Sequence, residues 1–177
     1  VPPPFTSPIT LPLPSATFTS PPRSGFMFAS HLASAVFICK FVRAASVPCP
    51  PPISYPALAD RHHLFFVQSV DLMGSAYAVG ASYSWTIDTV APVVTSFSVV
   101  IGRVNVTVNW TTNKPSTSKV NWGLGTSTAN VTAENMSLVT SHSVVVTPLT
   151  PGTIFSFIAG GRDQAGNAYS SAKKQLR

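Results

Sequence analysis

Cys39 and Cys49, ten residues apart, are the residues of this chain best suited to covalent chemistry, and they are its only thiols. An even cysteine count in a Pro- and Thr-rich β sequence points to a disulfide formed in an oxidising compartment. Closing so short a loop would stabilise by roughly 3 kcal/mol in the chain-entropy description. The spacing fits a bridge across two adjoining strands. Two free thiols are the alternative reading. A metal centre is the weakest of the three, because a tetrahedral site wants four ligands and no CxxC or HxxxH partner is present.

The other polar groups point away from catalysis. His62 and His63 are adjacent, and neighbours on a strand face opposite ways, so their rings cannot easily share a metal. His31 and His142 are isolated and receive no role. Asp71, Asp88 and Asp163 fall near the ends of β stretches, where Asp caps turns through its own backbone. Calcium takes six to eight oxygens, several from carboxylates, and this chain holds only five acids in all. Paired carboxylates for acid/base work, a Gly-x-Ser-x-Gly elbow and a Gly-rich phosphate loop are all missing. No catalytic, cofactor-binding or metal-binding residue is assigned, and no cofactor is expected.

Four Asn-x-Ser/Thr sequons stand at Asn105, Asn109, Asn130 and Asn135. They are possible N-glycosylation sites, with chance occurrence in an Asn/Thr-rich stretch as the alternative. Asn105 and Asn109 share the outward parity of one strand, so glycans there would cover an outer sheet face and spare the core. Among the three tryptophans, Trp110 shares parity with Val104, Val106 and Val108 and reads as core. Trp122 lies beside a Gly turn and is left open as a surface on which a sugar ring could stack.

The elements that must position these residues are short strands. Of 177 residues, 45% are hydrophobic, only 9% are charged and 17 are Pro. That composition supplies core material, argues against long helices and against disorder, and leaves Ser, Thr, Asn and Pro to cover the surface. The length suits two modules of about 90 residues each. The net charge of +6 arises mostly from the shortage of acids, and the tightest basic cluster is Lys173, Lys174 and Arg177. That cluster reads as a solvated tail, so no nucleic-acid partner is expected. No basic region followed by an apolar core opens the chain, so no signal peptide is visible. The apolar stretch from Phe26 to Val42 is interrupted by Ser30, His31, Ser34 and Lys40 and suits strands better than a membrane helix. Any membrane attachment would come through regions outside this chain.

Residues 1–14 read as a Pro-rich linker, with an edge strand near Ala16 to Thr19. In residues 15–90, ordered structure begins at Phe26 to Phe28, and strands are expected at Val36 to Phe41, Leu64 to Val70 (closed by Gly74) and Tyr83 to Asp88. In residues 91–177, period-2 alternation makes Val104 to Thr111 a strand, with Val104, Val106, Val108 and Trp110 inward and Asn105, Thr107, Asn109 and Thr111 toward water. A turn is expected at Thr112 to Ser118 around Pro115. Strands are expected next at Lys119 to Trp122, Ser143 to Leu149, Thr153 to Ala159 and Ala168 to Lys174. A tight corner is expected at Thr150 to Thr153 and a loop at Asp163 to Asn167. Six or seven short strands in under 90 residues is the sandwich signature.

These residues carry two resemblances. Phe26 and Phe28, then Ala35, Phe37, Cys39, Cys49, Pro52, Tyr55, Leu58, Asp60, His63, Phe65, Val67 and Asp71 match a pattern in order, which closes with Tyr83, Trp85, Thr86, Asp88, Thr89, Ala91 and Pro92. Residues 15 to 92 thereby resemble bacterial-type Ig-like repeats, found in tandem in large surface and adhesin-like proteins. The resemblance implies that Trp85 is a core residue. Departures are Val42-Arg43-Ala44 in place of a polar Asp-Gly-Gly turn, Asp60-Arg61 in place of Asp-Gly, and Met27 and Ile38 at positions that are usually polar. The second half, through Trp110-Thr111-Thr112, Pro115, Ser118, Val120, Gly123, Thr140 to Val144, Leu149 to Thr153, and Asp163, Ala165, Gly166 and Asn167, resembles fibronectin type III modules. Those modules usually carry Tyr where Phe155 stands, a loss of one hydrogen bond worth roughly 1 kcal/mol.

The expected fold class is therefore all-β: two tandem antiparallel β-sandwiches, Ig-like then fibronectin type III-like. The expected function is that of a non-catalytic extracellular or cell-surface spacer or adhesion segment. Its expected partners are a protein or glycan on a surface and further β-modules of the same chain. The alternative is an accessory region of a secreted hydrolase whose catalytic domain lies elsewhere.

Overall fold

A computed structural model describes residues 18–19, 24–29, 35–41, 44–70 and 80–177. The regular structure described is strand throughout, and the chain divides into two compact units, Val1–Thr89 and Val90–Arg177. No helix among the described residues is long and apolar enough to cross a membrane. The expected linker over residues 1–14, His31, Asp71 and the expected closure at Gly74 lie outside the described residues.

The first unit contains β1 (Phe18–Thr19), β2 (Ser24–Phe26), β3 (Val36–Phe41), β4 (Val47–Pro48), β5 (Ile53–Tyr55), β6 (His62–Val70) and β7 (Ala81–Ile87). A five-stranded sheet runs β1-β7-β6-β3-β4, antiparallel except where β1 lies parallel to β7. β2 and β5 form a separate antiparallel pair. Alternation sets the faces: His63, Phe65 and Val67 of β6 are buried, whereas His62 and Leu64 are exposed. Trp85 and Ile87 of β7 join the buried face. Phe26 of β2 meets this face directly, stacking on Phe65 with ring centroids 4.1 Å apart and tilting against Trp85 at 5.3 Å. The core is thus largely aromatic.

The second unit contains β8 (Val94–Ile101), β9 (Val106–Leu124), β10 (Asn130–Val131), β11 (Asn135–Val146), β12 (Phe155–Arg162), β13 (Ala168–Ser170) and β14 (Lys174–Leu176). The first half of β9 pairs with β8 and β11, and its second half pairs with β10 and β12. One strand of 19 residues therefore belongs to both layers. The turn expected at Thr112 to Ser118 is not there. Pro115, which cannot donate to a ladder, falls where β9 leaves one layer for the other, and β11 shifts register twice beside it. The crossing is tight, since a Cβ on Gly161 of β12 would come within 2.1 Å of the Thr117 carbonyl oxygen.

Other boundaries also differ. Val104 precedes β9 and is 49% exposed, so only Val106, Val108 and Trp110 of the expected inward set are buried. Its carbonyl instead accepts from the amide of Leu149. β11 begins eight residues before the expected Ser143. The expected final strand is interrupted at Ser171 to Lys173, where the Ser171 amide donates to the Ala159 carbonyl and the Ser171 hydroxyl accepts from the Ala159 amide. The corner at Pro151-Gly152 is present, with Gly152 at φ 73°. Val106, Val108, Trp110, Val120, Val146, Phe155 and Phe157 are among the residues that fill the space between the layers.

Candidate functional site

The makeup of the outer face of the β8-β9-β11 layer follows directly from alternation. The register aligns Ser96, Thr111 and Ser141 in one row, Ser98, Asn109 and Ser143 in the next, and Val100, Thr107 and Val145 in the third. The opposite parity sends Phe97, Trp110 and His142 toward the core. None of the nine outer residues is charged. The Thr111 hydroxyl lies 2.6 Å from that of Ser96 and 2.7 Å from that of Thr95. Val100 and Val145 are exposed at one end of the face. The surface can donate and accept hydrogen bonds and offer a small apolar edge, and it carries no base or activated nucleophile.

The groups with chemical potential in this unit are engaged internally. His142 is buried, its ring parallel to Trp110 with centroids 4.8 Å apart. Its Nδ1 lies 2.7 Å from the Ser118 hydroxyl and its Nε2 lies 2.9 Å from the Thr112 hydroxyl. Burial holds its pKa below the ordinary value. Trp110 Nε1 donates to the Tyr169 hydroxyl at 3.0 Å, and Tyr169 donates to the Thr117 carbonyl at 2.9 Å. This buried network forms where β9 changes layers. Sequence reading missed it because His142 and Tyr169 lie far from the Ser/Thr cluster in the chain; the single available signal was the inward parity of His142 with Val144 and Val146.

The acids are likewise occupied. Glu134 accepts from Arg162 Nε at 3.0 Å, from Arg162 Nη2 at 2.8 Å and from the Thr117 hydroxyl at 2.6 Å, with Lys119 at 3.6 Å. The Arg162 and Thr117 hydrogen bonds lead in lowering its pKa to about 2. Burial raises the Asp163 pKa, but Lys114 at 2.7 Å and hydrogen bonds from Asn167 outweigh it, and the carboxyl lies below its usual range. The Asp163 carboxylate accepts from both the Asn167 amide and its side chain, which closes the expected loop around Gly166.

In the first unit, Cys39, Cys49, His63 and Trp85 are buried. Cys39 and Cys49 are joined in a buried disulfide with Cα atoms 5.8 Å apart. His63 Nε2 lies 2.8 Å from the Ala59 carbonyl, while His63 Nδ1 and Trp85 Nε1 are buried without a partner among the described residues. Asp60 accepts from the Thr89 amide at 3.0 Å. Trp85 and Trp110 are buried, and Trp122 is half-buried with its ring 6.1 Å from Phe155. The sequons divide by position: Asn130 and Asn135 are exposed, whereas Asn105 and Asn109 are half-buried. Groups of three or more potential metal ligands are absent among the described residues.

No known family model and no curated protein matches this chain. Among solved structures, domains A168-A170 from titin match with a TM-score of 0.66 at 12% identity, covering 98% of this chain and 65% of that one. The FN1-FN3 domains of chicken CNTN1 match with a TM-score of 0.49 at 12% identity, covering 89% of this chain and 63% of that one. The chain therefore spans less than two thirds of either structure. Identity this low speaks to fold alone, and the fold is the antiparallel β-sandwich of Ig-like and fibronectin type III domains.

Proposed function

We infer that this chain is a non-catalytic extracellular spacer or adhesion segment of a larger secreted or cell-surface protein, and that it binds protein or glycan partners by presenting surface. The observation that carries this reading is the division of labour in the second unit. Its histidine and two of its ring systems with polar atoms are engaged inside and both its acids are ion-paired, while the β8-β9-β11 face offers an uncharged array of hydroxyls and one carboxamide. The Cys39–Cys49 disulfide supports an oxidising compartment. The resemblance of the first unit to bacterial-type Ig-like repeats supports a surface-protein setting with further β-modules in the same chain. In a host that modifies Asn-x-Ser/Thr, the exposure of Asn130 and Asn135 favours them over Asn105 and Asn109 as glycan acceptors.

The test is binding of the full chain to an array of cell-surface proteins and glycans, with Asn109→Lys and Ser98→Lys as variants. A partner that loses at least about tenfold in affinity on either substitution, with the fold intact, supports the reading. Equal binding by the variants contradicts the assignment of this face. A catalytic domain encoded beside the chain in its full-length gene would favour the accessory role in a secreted hydrolase.

A further inference from the structure

One end of the second unit opens into its core. The segment joining β8 to β9, the corner between β11 and β12 and the end of β14 converge around a cavity of about 140 Å³. Its floor is apolar, formed by Val106, Leu149, Phe155 and Phe157, all buried. Ile101, Val104 and Leu176 continue the apolar wall outward. A lined cavity of about 150 Å³ is enough to hold benzene, so this one suits a single aromatic ring or a short branched acyl group. The corner turns at Gly152 with φ 73°, so the rim carries no side chain at that one position, between Pro151 and Thr153.

Both charged side chains that line this opening are basic. Arg103 and Arg177 both line it and are exposed. Residues 90–177 hold seven Lys or Arg against two acids. Both acids are already paired: Asp163 with Lys114, and Glu134 with Arg162 and Lys119. Neither Arg103 nor Arg177 has an acidic side chain as partner among the described residues. An apolar recess rimmed by two guanidinium groups that no acidic side chain among the described residues faces complements a ligand that is apolar at one end and anionic at the other. Guanidinium recognises a carboxylate through paired N–H donors, a geometry that a neutral head group cannot supply.

We propose that this pole is a binding site for a small amphiphilic carboxylate, its ring or short acyl group in the cavity and its carboxylate on Arg103 and Arg177. The inference does not depend on the adhesive role proposed above, since none of the nine outer-face residues lines the pole. The probe is 3-phenylpropionate, titrated into the full chain and followed by methyl NMR, with 3-phenylpropanol as the neutral control. Saturable shifts are expected at Val106, Leu149 and Leu176. The double variant Arg103→Gln/Arg177→Gln, whose side chains lie outside the core, is expected to bind the carboxylate about fivefold more weakly and the alcohol unchanged. Its melting temperature, compared with that of the parent chain, verifies folding. The proposal is overturned if no shift saturates by millimolar concentrations, if the shifts scatter over the surface, or if the double variant binds the carboxylate as well as the parent does.

Discussion

The two units complete their cores by different means. The first relies on rings and a covalent link: Phe26, Phe65 and Trp85 pack face to face or at a tilt, and Cys39–Cys49 ties β3 to the segment after β4. Two of its buried polar atoms, His63 Nδ1 and Trp85 Nε1, find no partner among the described residues. The second unit has no disulfide and instead satisfies its buried polar groups with one another, from Trp110 through Tyr169 to Thr117, and from His142 to Thr112 and Ser118. A small sandwich can thus be specified by a cross-link over an aromatic cluster, or by a hydrogen-bonded junction where one strand serves two layers.

The comparison can be broken at the junction first. Tyr169→Phe keeps the ring but orphans the Trp110 N–H and the Thr117 carbonyl, and should destabilise the second unit by about 2 kcal/mol in chemical denaturation. Peptides of the first unit should show unchanged hydrogen exchange.

Acid should sharpen the contrast with a smaller effect. Because the folded-state pKa of His142 is depressed by burial, the unfolded chain binds more protons as pH falls below the ordinary histidine value of about 6.5. The contribution of neutral His142 is complete above that pH and is lost as pH drops toward the folded-state pKa. Glu134 and Asp163, whose pKa values are also lowered, lose theirs in a separate window below the ordinary carboxylate range. The melting temperature of the second unit should therefore decline in two steps on acidification, and His142→Gln should abolish the upper one.

The smallest effect is expected at Glu134→Gln. Its partners Arg162 and Lys119 are substantially exposed, so the loss should not exceed about 1 kcal/mol despite the close geometry. Thermal melts of the variant in low and high salt measure it.

Much of the framework is readable from residue order, and the failures have physical causes. β3 runs from Val36 to Phe41 as the alternation predicts, and Trp85 and Trp110 are buried as their positions imply. The turn expected around Pro115 fails because proline and a run of Thr and Ser read locally as a break, whereas long-range pairing with β11 and β12 carries β9 through. The start of β11 is hidden because Asn135 to Ser141 are exposed on both parities, so no periodicity marks them. The His142 junction is invisible for a related reason: its partners come from a strand about 30 residues earlier, and no local pattern announces a buried polar contact.

Hydrogen exchange measured by mass spectrometry, with and without a reductant, bears most directly on the claim that each unit holds its own core together in its own way. Reducing Cys39–Cys49 should lower the protection of residues 36–70 and 80–89 by an amount equivalent to about 3 kcal/mol, while residues 94–176 keep theirs. Equal loss of protection across both stretches, or none in the first, would contradict it.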